Sequence, residues 1–235
     1  QIYNTDNDSL SGAEALIRWN SKKYGFTGPN TFIPLLEDSA LIIPLGRWII
    51  NTAAKACNRW ITSIPDFVMH INLSFVQIVK SNIVKDVLEN IERYSAANNH
   101  YVFEITETIE MDQIPAVQNV FKEFVKNDFR FAIDDFGTGY SNYGYMRDRT
   151  FDIVKVDRSF VTDIDKLKDN YLMVSFIIKM AHEMGLHVCI EGVETKEELS
   201  CVKRLGADYI QGYYYGKPVC LQDFEEQHLK RFVLG

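Results

Sequence analysis

Tyr101-Val102-Phe103-Glu104-Ile105, then an amphipathic stretch Pro115–Lys126, then Arg130-Phe131-Ala132-Ile133-Asp134 form the passage that decides the fold. A short β-branched and aromatic run, a longer helical pattern and a second short run make one strand–helix–strand unit. The same alternation extends in both directions. Strands are expected at Gly12–Trp19, Phe67–Leu73, Ile153–Val156, Val188–Ile190 and Asp208–Ile210, and helices at Leu45–Ser63, Ile83–Ala97, Asn170–Met184 and Lys196–Leu205. Thr195 and Glu198 have the spacing of a capping box, and Gly185 and Gly206 stand where helices should stop. No Pro/Gly/Ser linker or short repeat interrupts the pattern, so residues 1–235 read as one domain.

Repeated units with apolar strands imply a parallel sheet covered by helices, either an open doubly wound sheet or a closed (β/α)8 barrel. An open sheet is usually announced by a Gly-rich turn after its first strand, and none follows Trp19. Seven strands are legible. An eighth, lost before Gln1 or reduced to Gln1–Tyr3, would close a TIM-like barrel whose first strand is truncated. The chain opens at Gln1 without an initiator Met, as an excised piece would.

The 235 residues carry 25 Lys and Arg against 32 Asp and Glu, a net charge of −7, with 46% hydrophobic and 24% charged residues. This is a globular mixture, and its acidity excludes a basic face tracking long nucleic acid. A small anionic ligand needs local positive charge, such as a metal. Cys57, Cys189, Cys201 and Cys220 have no Cys-x-x-Cys spacing, which suits reduced thiols in the cytoplasm. The most apolar stretch, Leu41–Ile50, is short and contains Pro44 and Arg47, so no membrane span is expected within this segment.

Polar side chains recur at the strand ends: Glu14, Asn72, Glu104 with Glu107, Asp134-Asp135, Lys155 with Asp157, Glu191 with Glu194, and Gln211. In a parallel barrel these ends converge on one face. Carboxylates so close would repel one another and bind protons unless a cation keeps them ionised. All-oxygen ligands select hard cations: Mg²⁺, Mn²⁺ or Ca²⁺. Asp134 and Asp135 are adjacent, so both reach one site only where the strand ends, and Gly137 and Gly139 supply a flexible continuation. One aspartate bridging two ions suits a two-metal hydrolase, with Lys155 orienting water or stabilising charge.

Singly, these residues have ordinary readings: a salt-bridge Glu, an Asp-Asp turn, an Asn cap and a snorkelling Lys. Jointly, the ordered set is hard to explain as surface decoration. Other features carry less. His182-Glu183 with His187 is not His-Glu-x-x-His, Gly137-Thr138-Gly139 lacks the rest of a phosphate-binding loop, and Tyr213–Tyr215 reads as packing.

The chain resembles the EAL domain family of bacterial phosphodiesterases, named for the tripeptide found here as Glu14-Ala15-Leu16. The match continues through Arg18-Trp19, Phe32-Ile33-Pro34, Leu45-Gly46-Arg47-Trp48, Asn72-Leu73-Ser74 and Glu104-Ile105-Thr106-Glu107. It runs on through Asp134–Ser141, Lys155-Val156-Asp157, Glu191-Gly192-Val193-Glu194 and Gln211-Gly212-Tyr213. The resemblance implies a barrel enzyme hydrolysing cyclic di-GMP to linear pGpG with two Mg²⁺ or Mn²⁺ ions. Glu14, Asn72, Glu104 and Asp134 would hold one ion, and Asp134, Asp135 and Glu191 the other. Lys155 and Glu191 would lie near the attacking water, and Gln211 would help position the site. Leu16 and Arg18 would contact the ligand, with Asp157 at a guanine edge. Glu107 would support a loop containing Gly137, Thr138, Gly139 and Ser141, which couples the site to homodimerisation in related proteins.

Asn142, Tyr143 and Gly144 depart from the usual Ser-Leu-Ser. The family's first strand carries a Gln-Pro step, and Gln1 stands near the Pro position, so it receives no role. The alternatives are a receptor that binds cyclic di-GMP without cleaving it, and a glycosidase using two carboxylates. The latter leaves Asn72, Lys155 and the adjacent aspartates unexplained.

Overall fold

The run Arg130–Phe136 (β7) places Phe131 and Ile133 under the helices and Ala132 and Asp134 inside, the two-residue period of a strand. It pairs in parallel with Tyr101–Thr106 (β6) on one side and Ile153–Val156 (β8) on the other. The computed structural model describes residues 1–106, 115–138 and 150–229. The remaining barrel strands are Ile2–Asn4 (β1), Leu10–Ala15 (β2), Val68–Asn72 (β5), His187–Glu191 (β9) and Tyr209–Gln211 (β10). They close in the order β1-β2-β5-β6-β7-β8-β9-β10, and β10 returns to β1. Trp19–Ser21 (β3) and Gly25–Thr27 (β4) form a separate hairpin.

The short first strand β1 closes the barrel, but it runs antiparallel to both neighbours. Its connection to β2 is a tight turn in which Asn4 N–H donates to Ser9 O at 2.9 Å and Asp8 takes a left-handed φ of 53°. So short a link permits only an antiparallel pair, because a parallel crossover needs a dozen or more residues. The expected strand Gly12–Trp19 stops at Ala15, and Trp19 enters the β3–β4 hairpin.

The helices are Pro29–Asp38 (α1), Ile42–Trp60 (α2), Phe75–Lys80 (α3), Ile83–Ile91 (α4), Pro115–Lys126 (α5), Lys168–Glu183 (α6), Lys196–Leu205 (α7) and Leu221–His228 (α8). Helix α2 starts before Leu45 because Pro44 falls in its first turn, where no N–H is needed. Helix α4 stops well short of Ala97, and Ser95 N–H turns to Asn58 Oδ1 at 2.9 Å. The capping box of α7 forms, with Glu198 N–H donating to Thr195 Oγ1 and Thr195 N–H to Glu198 Oε2. Gly206 ends that helix at φ 86°.

Two cores result. Between sheet and helices, Phe103 meets Phe124 edge-on at 5.1 Å and Phe121 meets Phe131 at 4.9 Å. Each such pair contributes about 1 kcal/mol beyond its burial. Inside the barrel, Ile2, Val102, Ala132, Ile153 and Cys189 form an apolar plug. The strand period then sets Glu104 above Val102, Asp134 above Ala132 and Lys155 above Ile153. The plug is the floor of the polar layer.

Cys57, Cys189 and Cys201 are buried and Cys220 is exposed. His182 Nε2 and His187 Nδ1 hydrogen-bond to the Asp208 carboxylate at 2.8 and 3.2 Å, a structural corner joining α6, β9 and β10. Tyr215 stacks on Tyr3 at 4.0 Å and donates its hydroxyl to Asp8. Among the described residues, no helix is long and apolar enough to cross a membrane.

Candidate active site

Lys155 is fully buried at the barrel mouth, its ammonium 2.8 Å from Glu104 Oε2, 2.9 Å from Asp134 Oδ1 and 2.8 Å from Glu191 Oε1. Glu14 Oε2 lies further off, at 3.7 Å. Register explains the convergence. His70 is paired with Glu14, Asn72 with Glu104, Lys155 with Cys189 and Gln211 with Glu191 on adjoining strands. Each carboxylate is therefore carried inward by a different strand.

Glu14 is held from two sides. Asn72 Nδ2 donates to its Oε1 at 2.5 Å and Gln211 Nε2 to its Oε2 at 2.7 Å. The adjacent aspartates reach the site together by a route other than the expected strand end. Asp135 takes φ 53° inside β7, and the register slips between Ile133 and Phe136. This bulge turns both side chains to one side. Asp134, Asp135 and Glu191 each offer an oxygen within 4.8 Å of the others. Gly137 follows at φ 97°, where a Cβ would stand 2.7 Å from the Phe160 ring. Thr138 closes the turn by donating its hydroxyl to Asp135 O at 2.8 Å.

The electrostatics are dominated by burial. Burial draws the Lys155 pKa down, but Glu104, Glu14, Glu191 and Asp134 outweigh it, so the ammonium is retained. For Glu14, burial pushes upward, yet Lys155 and the Gln211 and Asn72 amides win and hold the carboxyl down at about 2. Glu104 is driven well above the usual range by burial despite Lys155. Asp135 is raised by burial and by Asp134. Burial is also the largest effect on Glu191 and, with Asp134 and Glu14, overcomes Lys155 to carry it up to about 7.

These shifts test the fit of a metal. Fully ionised, Glu14, Glu104, Asp134, Asp135 and Glu191 carry five negative charges against one on Lys155, leaving four. Two divalent cations would match that charge, and the donors are the hard oxygens such cations take. Proton uptake at Glu104, Glu191 and Asp135 relieves the same repulsion without them.

A pH dependence follows. A ligating carboxylate must shed its proton, so a cation held by Glu191, as the resemblance implies, would compete with a proton there. The apparent Mn²⁺ affinity is expected to fall about tenfold per pH unit below about 7 and to level off above. In the metal-free protein the sign for stability is opposite in direction to the usual carboxylate. Glu191 is raised from 4.5 to about 7, so the folded state binds the extra proton in that window and stability falls as pH rises through it. Calorimetric titration with Mn²⁺ on either side of neutrality checks this, and a pH-independent affinity contradicts it.

The structure brings Glu14, Asn72, Glu104, Asp134, Lys155, Glu191 and Gln211 together, with Asp135 beside Asp134. Leu16, Arg18 and Gln211 line a cleft of about 610 Å³ that opens beside Glu14 and continues past Trp48 and Tyr213. The Arg18 guanidinium is exposed and donates to Ile17 O at 2.8 Å. Asp157 caps the 3-10 turn Arg158–Phe160 through Ser159 N–H at 2.9 Å, and its charge is near enough to Asp135 to add to the upward shift there. Glu107, Gly139 and Ser141 lie outside the described residues.

Sequence reasoning passed over His70. Its Nδ1 is 2.7 Å from Glu104 Oε1, and burial with the nearby Lys155 holds its pKa down at about 3, so the ring is neutral. The signal was present, since His70 shares the inward face of β5 with Val68 and Asn72 at the two-residue period.

The EAL domain family model matches residues 1–218. The EAL enzyme Bd1971, in its form with cAMP and cyclic di-GMP bound, superposes with a TM-score of 0.91 at 35% identity, over 96% of this chain and 62% of that one. The phosphodiesterase PaMucR in complex with c-di-GMP superposes with a TM-score of 0.88 at 29% identity, over 95% and 91%. The cyclic di-GMP phosphodiesterase PdeL of Escherichia coli strain K12 is 32% identical over 213 residues, 89% of this chain and 58% of PdeL. Against several other curated relatives the chain spans about a third of their length.

Proposed function

Because the chain belongs to the EAL domain family, we propose that it is a metal-dependent phosphodiesterase hydrolysing cyclic di-GMP to linear pGpG. One observation carries this reading: four carboxylates surround a buried ammonium beside an open cleft, with Asp135 close to two of them, and no member of the expected ligand set is substituted. Glu14, Asn72, Glu104 and Asp134 would hold one Mg²⁺ or Mn²⁺ ion, and Asp134, Asp135 and Glu191 a second. Such a pair, when bound, acidifies a water and stabilises charge on the phosphate.

The chain's own groups do the rest. Water oxygen bonds to phosphorus while the phosphorus–O3′ bond breaks, and O3′ takes a proton, which leaves the 5′-phosphate of pGpG. Lys155 orients the water and offsets negative charge building beside it. Asn72 and Gln211 keep both oxygens of Glu14 from rotating. Leu16 and Arg18 seat the dinucleotide in the cleft, Arg18 at a phosphate, and Asp157 takes a guanine edge. Glu107 with the Gly137–Ser141 loop would link the site to a homodimer partner, as the resemblance implies, and the protein would act in the cytoplasm. Light scattering tests the dimer; a monomer at all working concentrations contradicts it.

The deciding experiment incubates folded protein with cyclic di-GMP and Mg²⁺ or Mn²⁺. The expected product is pGpG, abolished by chelation. Tight calorimetric binding without turnover in the same buffer would instead make the chain a receptor.

A further inference from the structure

His70 touches the carboxylate cluster from below, through Glu104, without belonging to the ligand set. Glu104 is inaccessible to solvent, and its two oxygens are divided: Oε1 faces His70 Nδ1 at 2.7 Å and Oε2 faces Lys155 Nζ at 2.8 Å. A carboxylate so enclosed has no water to complete its hydrogen bonds, so the neighbours set its rotation. Once Glu104 is ionised, as a cation ligand has to be, Oε1 can only accept, and Nδ1 then carries the proton of this bond.

We propose that His70 is a positioning residue that turns Glu104 so that Oε2, and not Oε1, faces Lys155 and the metal ligands Asp134 and Glu14. The inference rests on the reading of the cluster as a metal site. Lys155 alone cannot do this, since an ammonium pairs equally well with either oxygen. A donor on the opposite side breaks that equivalence. Groups that orient a ligand in this way change metal affinity by about 10- to 100-fold when removed.

The test compares the unmutated protein with His70→Leu and His70→Asn. Asparagine places an amide N–H near the position of Nδ1, whereas leucine fills the space and donates nothing. Calorimetric Mn²⁺ titration is expected to show binding weakened about 10- to 100-fold in His70→Leu and largely restored in His70→Asn. Turnover of cyclic di-GMP by His70→Leu should recover as Mn²⁺ is raised, with KM for the dinucleotide unmoved; a merely structural defect would not respond to metal. Equal Mn²⁺ affinity in all three proteins overturns the proposal, as does equal impairment of both variants. In the unmutated protein saturated with Mg²⁺, long-range ¹H–¹⁵N spectra should find His70 as the Nδ1–H tautomer, and the Nε2–H tautomer overturns the proposal without any variant. If the unmutated protein binds no Mn²⁺ at all, the metal-site reading fails too, which separates the two failures.

Discussion

Glu14→Ala is expected to lower the kcat for cyclic di-GMP by about a thousandfold, the upper range for loss of one charge-stabilising group. Glu14 stands where the carboxylate cluster meets the cleft, so it is the residue best placed to serve both cation and ligand. Alanine removes a carboxylate held down at about 2 and leaves the Asn72 and Gln211 amides without their acceptor. Glu14→Gln separates these effects, since it keeps the shape and an acceptor oxygen while removing the charge. If charge is what matters, Gln loses nearly as much as Ala. Turnover near the unmutated rate in Glu14→Ala would remove Glu14 from the metal site.

Lys155→Met is expected to destabilise the metal-free protein by about 3–5 kcal/mol, the usual result of stripping one partner from a buried ion cluster. For a chain of this length that corresponds to roughly 10 °C in Tm. Methionine fills the same channel, so the loss is electrostatic rather than a cavity. The four carboxylates around Nζ would then face one another with no compensating charge. Lys155 is what holds the Glu14, Glu104 and Glu191 carboxyls down against burial, so without it they take protons more readily, and the deficit grows with pH and shrinks on acidification. Added Mn²⁺ should recover part of the lost Tm, since a cation can replace the missing ammonium. Thermal melts with and without Mn²⁺ check both parts; an unchanged Tm at neutral pH contradicts the account. Turnover should also fall by at least about a hundredfold, because among the described residues no other Lys or Arg is paired with these carboxylates.

Much of the fold was legible because local signals coincide with element ends. Helices α5 and α7 begin and end where Pro115, the Thr195–Glu198 box and Gly206 say they should. Helix α4 ends at Ile91, short of Ala97, and beyond it the chain is held by a contact to Asn58 on another helix, which no local signal announces. The direction of β1 went unread although the short Thr5–Ser9 link dictates it. The site residues were legible as types at strand ends. The bulge at Asp135 was not, because a left-handed aspartate looks like any other in sequence.

Sequence alone determined the alternation of strand and helix, the family and the hard-oxygen character of the site residues, because periodicity and residue type are written locally. Only the tertiary structure decided which groups meet. Ring closure sets Gln211 against Glu14 across 197 positions and Asn72 against Glu14 across 58. It also buries Lys155 among four carboxylates and places His70 behind Glu104. Charge balance and proton affinity depend on distances and burial, and those exist only once the barrel has closed.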